Sequence, residues 1–161
     1  MFSYGGASLT GKTRLMKHID TFTESTDKNT LFVVHVGTND LLDKNHTPQE
    51  ITSKYKQLIH AVKSKSGSGR ICVLGLLPVL SETLDETSQR KCLNNLLHNM
   101  ANDENVLFLS SWKLFASDPD YKSLFTKKGL HLSQKGNALL TDLLSKFVKN
   151  FHFVPSTQFR P

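Results

Sequence analysis

Residues 31–40 read LFVVHVGTND, and this stretch decides the fold class. Of its first six residues only His35 is polar, and three are β-branched valines. A continuous apolar run of this length is typical of a strand that is buried on both faces, as in a parallel sheet. The run ends in Gly, Thr, Asn and Asp, at the carboxyl end of the predicted strand, where active sites of open α/β sheets lie.

Residues 70–76 and 106–109 are two further apolar runs of the same character. Segments with helical spacing separate the three runs, and Thr47-Pro48-Gln49-Glu50 predicts a capping box with proline at the first helical position. Apolar stripes with helical spacing occur at residues 15–22, 51–62, 93–100 and 140–151. We expect loops at residues 63–69 and 81–88. The pattern predicts an α/β fold with a mostly parallel sheet and helices on both faces.

The composition fits one domain, which we place at residues 1–152 and follow with a tail at residues 153–161. The chain has 161 residues, is 38% hydrophobic and carries a formal net charge of +6. Its lysines are scattered and form no long basic run, so contact with nucleic acid is expected only indirectly. No apolar stretch is long enough for a membrane span. Without a secretory signal, and with only Cys72 and Cys92, we expect a reduced intracellular location, the cytoplasm.

Residues 6–13 read GASLTGKT, which matches the phosphate-binding P-loop pattern G-x-x-x-x-G-K-[ST]. A P-loop also needs a buried strand before the glycine turn, and residues 1–4 offer only a short, half-polar one. A magnesium-binding Asp should end a second strand, whereas the strand at residues 31–36 leads into Gly37-Thr38-Asn39-Asp40. A nucleotide site is therefore kept as an alternative.

The third motif, Gly129-Leu130-His131-Leu132-Ser133, precedes the last amphipathic stripe. Ser133 can cap that helix. His131 then lies in a loop before the helix, exposed enough to exchange protons near neutral pH.

The Gly-Thr-Asn-Asp turn and the Gly-Leu-His-Leu-Ser segment together resemble the SGNH (GDSL-type) hydrolases. In particular, "HVGTND" after a strand and "GLHLS-x-x-G" before the last helix are similar to the esterase domains in the first reading frame of vertebrate non-LTR retrotransposons. The resemblance implies a flavodoxin-like three-layer αβα sandwich that hydrolyses small acyl or acetyl esters without a cofactor or metal. It implies Asn39 and Gly6, or its neighbour Gly5, as oxyanion-hole donors, and His131 as the catalytic base.

The chain departs from the family pattern at two positions. The family's nucleophilic serine lies in a Gly-Asp-Ser turn after a first strand that we do not find, and Ser8 is only a weak substitute. The family places an Asp three residues before the histidine, where this chain has Lys128. We therefore expect a partial domain that lacks its first strand and is inactive unless an upstream segment supplies the serine. A non-catalytic SGNH-like binding module is the alternative.

Overall fold

The computed structural model describes residues 7–10, 15–21 and 30–153, which fall into two compact units. The units are Met1–Pro78 with Glu82–Trp112, and Val79–Ser81 with Lys113–Pro161. The strand predicted at residues 1–4 and all but the first residue of the predicted tail lie outside the described residues.

The first unit contains a three-stranded parallel sheet in the order β1-β2-β3. The strands are β1 (Leu31–Val34), β2 (Arg70–Leu74) and β3 (Leu107–Leu109). The prediction of parallel strands at all three apolar runs is confirmed. Each strand is shorter than its apolar run; beyond β1 and β2, the side chains of Val36 and Leu76 are still buried.

Two long helices, α2 (Pro48–Ser66) and α3 (Leu84–Asp103), connect the strands. They pack against each other and therefore lie on the same face of the sheet. A sequential strand order with right-handed crossovers produces this arrangement. The predicted capping box of α2 is confirmed, because Thr47 Oγ1 accepts the Glu50 N–H at 3.2 Å.

Both predicted loops are partly wrong. Helix α3 begins inside the second one, at Leu84, because Thr83 and Glu86 form a second capping box of the same kind. Helix α2 continues through the first one to Ser66. The Lys63 ammonium donates to the backbone oxygen of Glu104 at 2.6 Å, which ties this last turn to the end of α3.

The core of the first unit lies between the sheet and these two helices, and the predicted stripe of α2 is buried throughout. Its five members are Ile51, Tyr55, Leu58, Ile59 and Val62. The Tyr55 hydroxyl is satisfied within the core, where it donates to the Val34 carbonyl at 2.9 Å. Burial raises the pKa of this phenol, so it stays protonated.

Five shorter or later elements complete the described chain. They are a 3-10 helix at Leu15–Thr21, α1 (Thr38–Leu42), α4 (Trp112–Ala116), a 3-10 helix at Tyr121–Leu124 and α5 (Gln134–Phe153). The large apolar side chains of α5 at positions 139–148 are half-buried rather than fully buried. Across the described part of the chain, no helix has both the length and the apolar character that crossing a bilayer demands.

Candidate active site

The Gly37-Thr38-Asn39-Asp40 turn lies at the carboxyl end of β1, where the sequence placed it. Gly37 has φ 112°, a backbone conformation that side chains with a Cβ rarely adopt, and it leads directly into α1. The turn therefore presents Asn39 and Asp40 within the first turn of that short helix.

Asp40 is the centre of a buried hydrogen-bond cluster, with a relative exposure of 1%. Its carboxylate accepts the Leu9 N–H at 2.9 Å from each oxygen and the Thr10 N–H at 2.9 Å. The Thr10 hydroxyl donates to it at 2.8 Å. These bonds to an ionised acceptor are the strong kind, so Asp40 fixes the residue 7–10 loop against α1.

Asn39 contacts the same loop but is exposed to solvent. Its Nδ2 donates to the Ala7 carbonyl at 2.9 Å. An amide NH₂ has two hydrogens, and the second has no acceptor among the residues that the structure describes. A fixed amide with a spare N–H is what an oxyanion donor requires. The other predicted donor, Gly6, and its neighbour Gly5 lie outside the described residues.

Ser8, the weak candidate nucleophile, lies in the loop that Asp40 holds. It is 8% exposed, and its hydroxyl donates to the Thr10 carbonyl. An activated nucleophile instead gives its proton to a base. The local geometry of Ser8 is that of a loop-stabilising residue.

Behind the turn lies a buried ion pair that the sequence analysis did not identify. The Arg90 and Glu82 side chains are 0% and 2% exposed, and Arg90 Nε donates to Glu82 Oε1 at 2.7 Å. A second nitrogen of the guanidinium donates to the same oxygen. The third contact goes to the turn, where Nη1 donates to Thr38 Oγ1 at 3.2 Å.

His131 belongs to the second unit and lies in an exposed loop, as predicted. Its backbone oxygen accepts the Thr126 N–H at 2.8 Å, and Phe125 and Leu132 form an antiparallel bridge on either side. Among the described residues, no carboxylate is hydrogen-bonded to its imidazole. Lys128 is exposed in the turn of this loop, at the position where the family has its Asp.

Two residues that follow His131 in its motif, Ser133 and Gly136, have structural roles at the start of α5. Ser133 Oγ accepts the Gly136 N–H at 3.2 Å and donates to the Ser123 carbonyl at 2.6 Å, which confirms the predicted cap of α5. A Cβ on Gly136 would lie 2.0 Å from the Leu124 carbonyl oxygen. Only glycine fits there, so helix α5 can start directly against the end of the 3-10 helix at Tyr121–Leu124.

Two of the cavities in the described part of the first unit are notable, and Ser8 and Asn39 are not among the described residues that line them. One of about 300 Å³ is bordered by Leu9, the first 3-10 helix and α2, and one of about 140 Å³ lies beside the end of α1. Within the described residues, no three His, Cys, Asp or Glu side chains converge where a metal ion could be held. Asn39, the one predicted oxyanion donor within the described residues, is exposed to solvent.

Asp40 and Arg90 are the residues that sequence reasoning missed. Arg90 carried a signal, because it lies three residues before Leu93 and therefore on the apolar face of α3. A lone arginine on such a face needs a buried partner. Asp40 carried no comparable signal, since its partners lie about thirty residues earlier in the chain.

A parallel α/β sheet with an Asn-bearing turn at a strand end, and a capped last helix behind a histidine loop, are the features expected of the SGNH-type fold. The sequence profile of the GDSL-like Lipase/Acylhydrolase family matches residues 2–139. The chain belongs to this family. No match was found among curated protein sequences.

Solved structures agree on the fold. The esterase domain of the ZfL2-1 ORF1 protein from the zebrafish ZfL2-1 retrotransposon is 31% identical with a TM-score of 0.57, over 71% of this chain and 70% of that one. A G-D-S-L family lipolytic protein from Veillonella parvula has 18% identity and a TM-score of 0.73, over 92% and 77%. The Enterococcus faecalis lipase/acylhydrolase has 23% identity and a TM-score of 0.63, and the match covers 74% of the present chain. The same match covers only 60% of the Enterococcus protein, so the present chain spans less than two thirds of that relative.

Proposed function

We propose that the chain is a carboxylic ester hydrolase domain of the SGNH type. In this proposal Asn39 and the backbone N–H of Gly6 stabilise the oxyanion, and His131 is the general base. The observation that carries it is the state of the Asn39 amide, which the Ala7 carbonyl holds in place, while its second N–H has no acceptor among the described residues. Preorganised donors of this kind are the largest single contribution to many acyl-transfer reactions.

The reaction needs no cofactor. A serine hydroxyl attacks the ester carbonyl while His131 takes its proton, and the negative charge forms on the oxygen that faces Asn39. His131 then gives the proton to the leaving alcohol. In the second half, His131 takes a proton from water while the water oxygen attacks the acyl-enzyme carbonyl. His131 then gives that proton to the departing serine oxygen, which releases the carboxylic acid and the free serine.

The serine itself is, in this proposal, supplied by a segment upstream of residue 1. The 161 residues contain no Gly-Asp-Ser sequence. Ser8 is buried and donates to a carbonyl, so it does not serve as a replacement. Residues 1–161 are therefore inactive alone, and Lys128 in place of the orienting Asp lowers the activity of the completed domain.

The substrate class comes from the relatives rather than from a described pocket. The family name and the zebrafish retrotransposon esterase domain, at 31% identity, support acyl esters as substrates and an origin in a retrotransposon. Small acyl or acetyl groups are what the family resemblance implies. Short-chain esters are therefore the first substrates to test, before long-chain lipids.

A non-catalytic SGNH-like binding module is the second candidate. The exposed Lys128, at the position of the family's Asp, favours it, since this residue leaves the fold intact while weakening the chemistry. The P-loop alternative has less support. The Leu9 and Thr10 N–H groups lie within the pattern's loop, and Asp40 already occupies them, so they cannot also bind a phosphate.

The test compares p-nitrophenyl acetate hydrolysis by two forms, the 161-residue chain and the same chain extended by the upstream segment of its transcript. We expect no turnover from the shorter form above its His131→Ala control. The extended form should hydrolyse the ester, and Asn39→Ala should lower kcat by about 10²–10³-fold. No turnover by the extended form, with saturable binding of acetate esters, would favour the binding module instead.

The nucleotide alternative has its own control, the Lys12→Ala variant. We expect no magnesium-dependent ATP or GTP binding by the 161-residue chain. Binding that Lys12→Ala abolishes would establish the P-loop function in its place.

A further inference from the structure

We propose that Arg90 is a positioning residue, which holds the Gly37–Asp40 turn through the Thr38 hydroxyl while Glu82 supplies the counter-charge. The catalytic meaning of this inference rests on the proposed function, because the turn carries the predicted oxyanion donor. Its structural content can be tested without any ester hydrolysis.

The first support is the placement of the charges. Arg90 is completely buried, and two of its nitrogens bind one oxygen of Glu82, which is itself buried. The other carboxylate oxygen, Glu82 Oε2, is buried without a hydrogen-bond partner among the described residues. Well-packed apolar residues are often as stabilising as such a pair. Stability alone therefore does not account for a guanidinium here, whereas a directional bond to the turn does.

The second support is a pattern on α3. Arg90 and Asn94 are four residues apart and share one face of the helix. Asn94 Oδ1 accepts the Leu76 N–H at 2.7 Å, and its Nδ2 donates to the Leu76 carbonyl at 3.0 Å. Helix α3 thus forms hydrogen bonds to the chain just beyond β2 through Asn94 and just beyond β1 through Arg90. The segments at the carboxyl ends of both strands are therefore positioned by the same helix.

The third support is the position of Thr38 in the chain. Thr38 is the first residue of α1, and Asn39 and Asp40 come next. Asn39 holds the Ala7 carbonyl, and Asp40 holds the backbone beyond it. A contact that fixes the first residue of α1 therefore fixes both side chains that hold the residue 7–10 loop.

The test is amide hydrogen exchange, followed by NMR, on the 161-residue chain carrying Thr38→Val. This substitution keeps the β-branched shape and removes the acceptor for Arg90 Nη1. Thr38→Ser keeps the hydroxyl and should retain the wild-type rates. Thr52→Val is the matched control, because the Thr52 hydroxyl donates to the Pro48 carbonyl within its own helix, at 2.7 Å.

We expect Thr38→Val to accelerate exchange at the Leu9 and Thr10 amides about tenfold, which corresponds to about 1.4 kcal/mol. The exchange rate of the Val73 amide, in the central strand, should change by less than about twofold, because a local opening of the residue 7–10 loop does not open the sheet. Equal acceleration at all three amides would show a general structural role and overturn the inference. Unchanged rates at Leu9 and Thr10 would also overturn it. Neither result depends on turnover, so the proposed function stands or falls separately.

Discussion

Replacing Asp40 with Asn tests whether this carboxylate organises the candidate site. Asp40 is 1% exposed and accepts three donors, the Leu9 N–H, the Thr10 N–H and the Thr10 hydroxyl. Hydrogen bonds to charged groups contribute about 1 kcal/mol more than neutral ones. Losing the charge from three of them therefore lowers the free energy of unfolding by about 3 kcal/mol. The new amide N–H also faces the Leu9 N–H, which is 2.9 Å from both carboxylate oxygens.

The assay is urea unfolding of the Asp40→Asn variant followed by circular dichroism, with thermal unfolding beside it. A loss of about 3 kcal/mol corresponds to a fall in Tm of about 6–12 °C for a domain of this size. Asp43→Asn is the matched control, since Asp43 is an exposed aspartate at the end of the same helix. We expect the control to lie within about 0.5 kcal/mol of the wild type. If Asp40→Asn did so as well, the argument that this buried carboxylate anchors the loop would be refuted.

Two further predictions concern stability elsewhere in the chain. Gly136→Ala should destabilise the second unit strongly, because the new Cβ would lie 2.0 Å from the Leu124 carbonyl oxygen. The control is Asn137→Ala at the exposed neighbouring position, which should not destabilise it. Thermal unfolding checks both variants, and equal Tm values would contradict the packing argument. Hydrogen bonds from Lys63 above all, and also from Lys56 and His60, lower the pKa of Glu104 from 4.5 to about 2. The ionised carboxylate therefore stabilises the fold above pH 4.5, and this stabilisation is lost as the pH falls toward 2. In urea unfolding, wild type should exceed Glu104→Gln in stability at pH 6, and this difference should shrink toward pH 2; a difference that does not vary with pH would contradict the ion-pair account.

Local signals in the sequence were enough to predict much of the fold. The three apolar runs predicted parallel strands, and Thr47 with Glu50 predicted the start of α2, because a capping box involves only residues near in sequence. The Ser133 cap was predicted for the same reason. The start of α3 was missed although Thr83 and Glu86 have the same spacing, since the polar residues around them resembled a loop.

The interior of the candidate site could not be predicted, because its contacts join distant parts of the chain. Asp40 binds backbone groups thirty and more residues away, and Arg90 binds a threonine more than fifty residues away. Helical periodicity places Arg90 on the buried face but does not name its partners. The roles of Asn39 and His131 came from the family resemblance, and they stay predictions until activity is measured.

The most direct test of the account is labelling with a fluorophosphonate probe, followed by peptide mapping, of the upstream-extended chain and the 161-residue chain. We predict one adduct in the extended chain, on a serine upstream of residue 1, and its loss in the His131→Ala variant. We predict no adduct in the 161-residue chain, where Ser8 is buried and bonded to a carbonyl. An adduct on Ser8, or no adduct in the extended chain, would contradict the proposed ester hydrolase.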